Sequence, residues 1–82
     1  MVFIDNIVNL HEDIAYYKRM FPDSFTTYDE IRKNLKGREN DPVGSIFGVS
    51  VAGENLDKCY GFEIDKEDAQ NTYIRYIGIW KC

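Results

Sequence analysis

The chain is short of several things, and each shortage narrows its chemistry. It has one histidine, His11, and two cysteines, Cys59 and Cys82. A zinc site usually takes four ligands from clustered Cys and His, so no metal centre is expected. No stretch approaches the roughly 18 apolar residues of a membrane span. Met1-Val2-Phe3-Ile4 has neither the basic flank nor the long apolar run of a secretory leader, so the expected address is cytoplasmic. Basic charge is scarce as well: ten Lys+Arg against fourteen Asp+Glu, a formal net charge of −4. Affinity for phosphates needs a basic field, so nucleic acid is not an expected partner. No Gly-x-Ser-x-Gly elbow, phosphate-cradling glycine loop or metal-binding His/Glu spacing occurs. No cofactor and no catalytic set is expected, and the chain reads as non-enzymatic.

What is present suits one globular domain spanning residues 1–82. Of the residues, 44% are hydrophobic, 15% aromatic and 29% charged. A domain this small buries roughly 60–65% of its unfolded surface, so a few large aromatic side chains must close its core.

Residues from about 5 to 20 read as a helix. Ile7, Leu10, Ile14, Tyr17 and Phe21 form one stripe at helical spacing, with Asp5 as a candidate cap and Pro22 as the stop. A second helix of about ten residues starts at the capping box Thr27-Tyr28-Asp29-Glu30 and ends at Gly37. After the loop 37–44 the apolar period becomes two. Residues 45–51, 56–64 and 72–80 are rich in β-branched and aromatic residues and read as strands. Short connections, 52–55 and the acidic 65–71, imply an antiparallel meander.

The expected fold is therefore α+β: two N-terminal helices packed on one face of a three-stranded antiparallel meander. Val2-Phe3-Ile4 is a possible extra short strand. Pairing Val51 with Leu56 and Ile64 with Thr72 puts Phe47, Val49, Val51, Leu56, Tyr60, Phe62, Ile64, Ile74, Tyr76 and Trp80 on the face beneath the helices. In that register Cys59 faces Ile77, and Cys82 lies roughly 16 Å further along at about 3.3 Å per residue, so both thiols are expected to be free.

The opposite face holds Ile46, Tyr73, Arg75, Ile77 and Ile79, more apolar than a wet sheet face needs. Glu63 and Arg75 are placed for a cross-strand ion pair. The last strand, read as an edge, offers unpaired amides to another chain. The acidic connector with Asp65, Glu67 and Asp68 lacks a calcium loop's central Gly and terminal Glu and reads as a solvated turn that can dock on a basic partner. His11, at the border of the first helical stripe, reads as a half-buried packing residue. The bases Arg32, Lys33, Lys36 and Arg38 complement the dipole of the second helix.

If Val2-Phe3-Ile4 is a strand, the order β-α-α-β-β-β is similar to the RelE/ParE toxin architecture. Tyr60–Ile64, a charged turn and Tyr73–Trp80 resemble that family's last hairpin. The resemblance implies a helical hairpin on a small sheet and an RNA-directed activity. Ribosome-dependent toxins of this kind are basic, whereas here Lys58, Tyr73 and Arg75 alone could stand in for their sheet residues.

The expected function is protein binding: a small stoichiometric inhibitor or modulator, of immunity or phage type, that occludes a basic surface of a partner. Tyr73, Arg75, Ile77, Ile79 and Ile46 would supply contact area, and Glu63, Asp65, Glu67 and Asp68 steering. A RelE/ParE-like protein, active or degenerate, is the alternative. A homo-oligomeric accessory subunit, paired through the last strand or the outer sheet face, is another.

Overall fold

Residues 2–5 decide the topology. In the computed structural model, which describes residues 2–24, 26–51, 57–68 and 70–82, Val2–Asp5 forms strand β1. It lies parallel to the last strand, with Val2 opposite Thr72 and Ile4 opposite Ile74. Helices α1 (Ile7–Met20) and α2 (Tyr28–Leu35) follow, then strands β2 (Ile46–Ser50), β3 (Lys58–Glu67) and β4 (Thr72–Lys81). The sheet order is β1-β4-β3-β2. The sheet is thus four-stranded and mixed, which corrects the expected three-stranded antiparallel meander. β4 is an edge strand only in part: β1 covers its outer side from Thr72 to Arg75 and leaves the stretch from Tyr76 to Lys81 without a strand neighbour there among the described residues. Burial along β1 alternates with period two: Val2 and Ile4 point into the core while Phe3 and Asp5 point away.

α1 begins two residues later than the sequence implies, because Asp5 belongs to β1. Its N-cap is Asn6, in left-handed geometry with φ 65° and no side-chain cap to the helix. The Asn6 amide instead donates to the Tyr76 carbonyl at 3.1 Å, tying the start of α1 to β4. α2 follows its capping signal: the Glu30 amide donates to Thr27 Oγ1 at 3.2 Å, and Gly37 ends the turn at φ 100°.

Leu10, Ile31 and Leu35 from the helices meet Phe47, Val49, Val51, Tyr60, Phe62, Ile64, Ile74 and Tyr76 from the sheet in one core. This is the inward set read from parity, except at Trp80 and at Leu56, which lies outside the described residues, as does the expected connection 52–55. Both hairpins pair two residues away from the expected register: Phe47 faces Phe62 and Phe62 faces Tyr76. A shift of two leaves every side chain on its own face.

Two irregularities in the β3–β4 ladder then change the outcome locally. Between Ile64 and Lys66 the pairing slips at Asp65, and β3 runs on to Glu67 through what reads as an acidic loop. Between Gly61 and Phe62 it slips again, because β4 carries the extra residue. Gly78 there has φ 132°, a conformation open to glycine and costly for other residues. The bulge reverses the faces beyond it. Ile79 turns inward against the core, and Trp80 turns outward.

The same bulge brings the cysteines together. Cys59 now faces Trp80, the Cys82 amide donates to the Asp57 carbonyl at 2.9 Å, and Cys59 and Cys82 form a disulfide with Cα atoms 5.3 Å apart. The expectation of free thiols is overturned: the expected register puts Cys59 opposite Ile77, the two-residue register shift moves it to Ile79, and the bulge adds one more residue to reach Trp80, on the face that Cys82 shares.

The bond closes a loop across a sequence separation of 23, worth about 3 kcal/mol in the chain-entropy account. Reduction, or Cys82→Ser, should therefore lower Tm by roughly 12–24 °C in a domain of this size. Calorimetry with and without reductant checks this. An unchanged Tm, or rapid iodoacetamide labelling of both thiols in the unreduced native protein, would contradict the pairing.

Candidate functional site

The face of the sheet turned away from the helices is built from alternating residues of all four strands. At one end the Phe3 ring stacks on Tyr73 with centroids 5.3 Å apart, and Lys66 Nζ lies 4.6 Å from the Tyr73 centroid. At the centre Arg75 pairs with Glu63, its cross-strand neighbour, and comes within 3.9 Å of Asp65. The bond to the Glu63 carboxylate pushes the Arg75 pKa up. Ile46, directly opposite Glu63 on β2, is 64% exposed, and Ile77 on β4 is 44% exposed. Phe3, Tyr73, Ile46 and Ile77 thus surround an ion pair that is itself partly open to water.

Trp80 lies across the far end of this face. Its six-membered ring rests on Gly61, where a Cβ would fall inside the indole. Gly61 is therefore needed for close approach, and the half-buried indole extends the apolar surface toward Cys59.

The acidic turn is more committed than its composition implies. The Asp68 carboxylate accepts from the Gln70 amide at 3.0 Å, from the Asn71 amide at 2.7 Å and from the Tyr73 hydroxyl at 3.5 Å. These bonds, the Gln70 amide foremost, hold its pKa below the usual carboxylate value. Glu63 and Asp65 are engaged with Arg75. Glu67 is exposed at the end of β3.

Of the residues proposed from sequence, the fold brings Ile46, Glu63, Asp65, Tyr73, Arg75 and Ile77 onto this face or its rim. Ile79 does not belong there; the Gly78 bulge sends it to the core side. Sequence reasoning missed Phe3, Lys66 and Trp80. Phe3 was findable from the alternation of residues 2–5, whereas Trp80 depended on the bulge.

Other clusters were candidates. His11 is exposed, not half-buried, with its ring 4.9 Å from that of Tyr28. Arg32, Lys33 and Lys36 line an open cleft of about 580 Å³ with Val2, Asp29 and Glu39. Among the described residues no three His, Cys, Asp or Glu side chains gather as metal ligands.

Inside the core, the Tyr76 hydroxyl donates to Asp13 and the Tyr60 ring lies 6.2 Å from that of Tyr76. Burial, then the nearby Asp13 charge, pushes Tyr60 up to about 12; burial and the Asp13 bond raise Tyr76 strongly. Phenols held neutral in this way serve packing and hydrogen bonding rather than nucleophilic chemistry. In the unfolded chain both titrate near pH 10, so the folded pKa values lie above the unfolded ones. The tyrosines' stabilising effect is therefore complete below about pH 10 and lost as pH rises through about 12. Thermal melts from pH 8 to 12 should show Tm falling above pH 10, and Tyr76→Phe should flatten that fall. An equal alkaline slope in the variant would count against this assignment.

No protein-family model matches the chain, and no solved structure matches it significantly.

Proposed function

We propose that the protein is a non-enzymatic protein-binding module, a small stoichiometric inhibitor or modulator of immunity or phage type. It covers a basic surface of its partner with the outer sheet face. The observation that carries this reading is the uncovered half-apolar face itself, where Phe3, Ile46, Tyr73 and Ile77 stand exposed or half-exposed around the Arg75–Glu63 pair. A contiguous apolar patch rimmed by polar groups marks an interaction site. Aromatic and aliphatic anchors supply contact area, and the chain's net charge of −4 with the acidic end of β3 favours approach to a basic partner. Glu67 is the steering carboxylate left free of the Arg75 and turn contacts; Glu63, Asp65 and Asp68 act through the field they leave rather than through direct pairing.

A RelE/ParE-like, RNA-directed protein is the second reading, favoured by the β-α-α-β-β-β order and by the Arg32–Lys33–Lys36 cleft. Firm retention on heparin that falls steeply with salt would favour it.

The test of the first reading is the double variant Ile46→Ser/Ile77→Ser. Both residues are exposed, so its Tm should stay within a few degrees of wild type. In affinity capture from cells that express the protein, the wild type should retain a basic protein in 1:1 ratio by native mass spectrometry, and the variant should retain at least tenfold less. Equal recovery by the two would remove the outer face from the mechanism.

A further inference from the structure

The terminal strands of the sheet, β1 and β2, differ. β1 is four residues long, carries Asp5 and ends at left-handed Asn6. β2 has the sequence Ile-Phe-Gly-Val-Ser, with no charge and no proline. Natural edge strands are guarded against added strands by charge, proline, bulges or shortness; β2 has only its modest length.

The direction of its amides follows from the ladder. The Val51 amide donates to the Lys58 carbonyl at 3.0 Å, and the Ile64 amide to the Ser45 carbonyl at 3.1 Å. Antiparallel pairing alternates, so Val49 and Phe47 also exchange bonds with β3 across Tyr60 and Phe62. Ile46, Gly48 and Ser50 therefore turn their N–H and C=O groups away from β3, toward the open side. Along that side runs a groove of about 330 Å³, lined by residues 47–50 of β2 and by Asn34 and Arg38 of α2 and its C-terminal extension. The Arg38 guanidinium sits over the Phe47 ring, 5.0 Å from its centroid, and its contact with Asp41 is an exposed one at 3.6 Å. A cation is thus held at the groove by an aromatic ring, and its exposed pairing with Asp41 is of the weak kind that a better-placed carboxylate can displace.

We propose that this groove takes an extended segment of a partner polypeptide, which adds as a fifth strand to β2 and places a carboxylate on Arg38. The backbone of Ile46, Gly48 and Ser50 supplies sequence-independent affinity, and Arg38 supplies selectivity for an acidic residue. The carboxylate distinguishes this occupant from the β2 strand of a second copy, because β2 itself offers none. The site is separate from the outer face and does not depend on it.

A phage-displayed library of random linear decapeptides, selected on the intact disulfide-bonded protein, tests the proposal. Enriched peptides should be rich in β-branched residues with a recurrent Asp or Glu. A synthetic copy of one should slow hydrogen exchange at the amides of Gly48 and Ser50 at least tenfold. Ser50→Pro removes an outward amide without touching the ladder to β3 and should weaken the peptide at least tenfold; Arg38→Glu should do the same. If Ser50→Pro fails to fold, the exchange map on the wild type decides alone. The proposal is overturned by no enrichment, by protection elsewhere, by binders indifferent to Ser50→Pro or Arg38→Glu, or by a dimer whose Gly48 and Ser50 amides are already protected without peptide.

Discussion

The ladder between β3 and β4 is the part on which the rest leans. It supplies Tyr60, Phe62, Ile64, Ile74 and Tyr76 to the core. Its slip at Gly78 is a single extra residue, yet it decides three things together. It turns Ile79 inward, it lays Trp80 over Gly61, and it brings Cys82 within reach of Cys59. A glycine with φ 132° is what permits the slip. A disulfide then fixes the far end of the same two strands, where an 82-residue domain has little other means of holding its last residues. Such a bond persists only where thiols are oxidised, so the redox setting governs how well the end of the sheet is held.

The outer face joins apolar area to a central ion pair, and this combination shapes the kind of recognition proposed for it. Covering the Arg75–Glu63 pair removes it from water, and its worth in the buried state rests on geometry and on further hydrogen bonds from the partner. A partner of the proposed kind would have to satisfy both groups. Phe3, Tyr73, Ile46 and Ile77 around the pair contribute area with less directional demand. Charge at the end of β3 favours encounter over residence, since Glu67 lies at the rim and acts at a distance.

Most of the core and both helices were legible in the amino-acid pattern, because the signals are local: Thr27 and Glu30 cap α2, Pro22 follows α1, and alternation marks the inward residues of β2, β3 and β4. The candidate face was legible in part for the same reason, through Tyr73, Arg75, Ile77 and Glu63. What escaped was non-local or fell below the resolution of composition. The parallel pairing of β1 with β4 joins residues 70 positions apart, and no local feature of Val2–Asp5 states its partner. Asp65, Lys66 and Glu67 carry loop-like charge although two of the three pair with β4. Gly78 sits among β-formers with nothing to announce a bulge, and the positions of Ile79, Trp80 and the disulfide all followed from it.

The distance between β1 and β4 also has a temporal side. Vectorial synthesis delivers the partner strand of Val2–Asp5 only after some 70 further residues, which at about 5–20 residues per second is a wait of roughly 4–14 s. During that interval α1 has no β4 to rest on, and Val2, Phe3 and Ile4 have no strand to pair with. The last strand acts as a keystone: β1, α1 and the closing cysteine gain their partners only once it is in place.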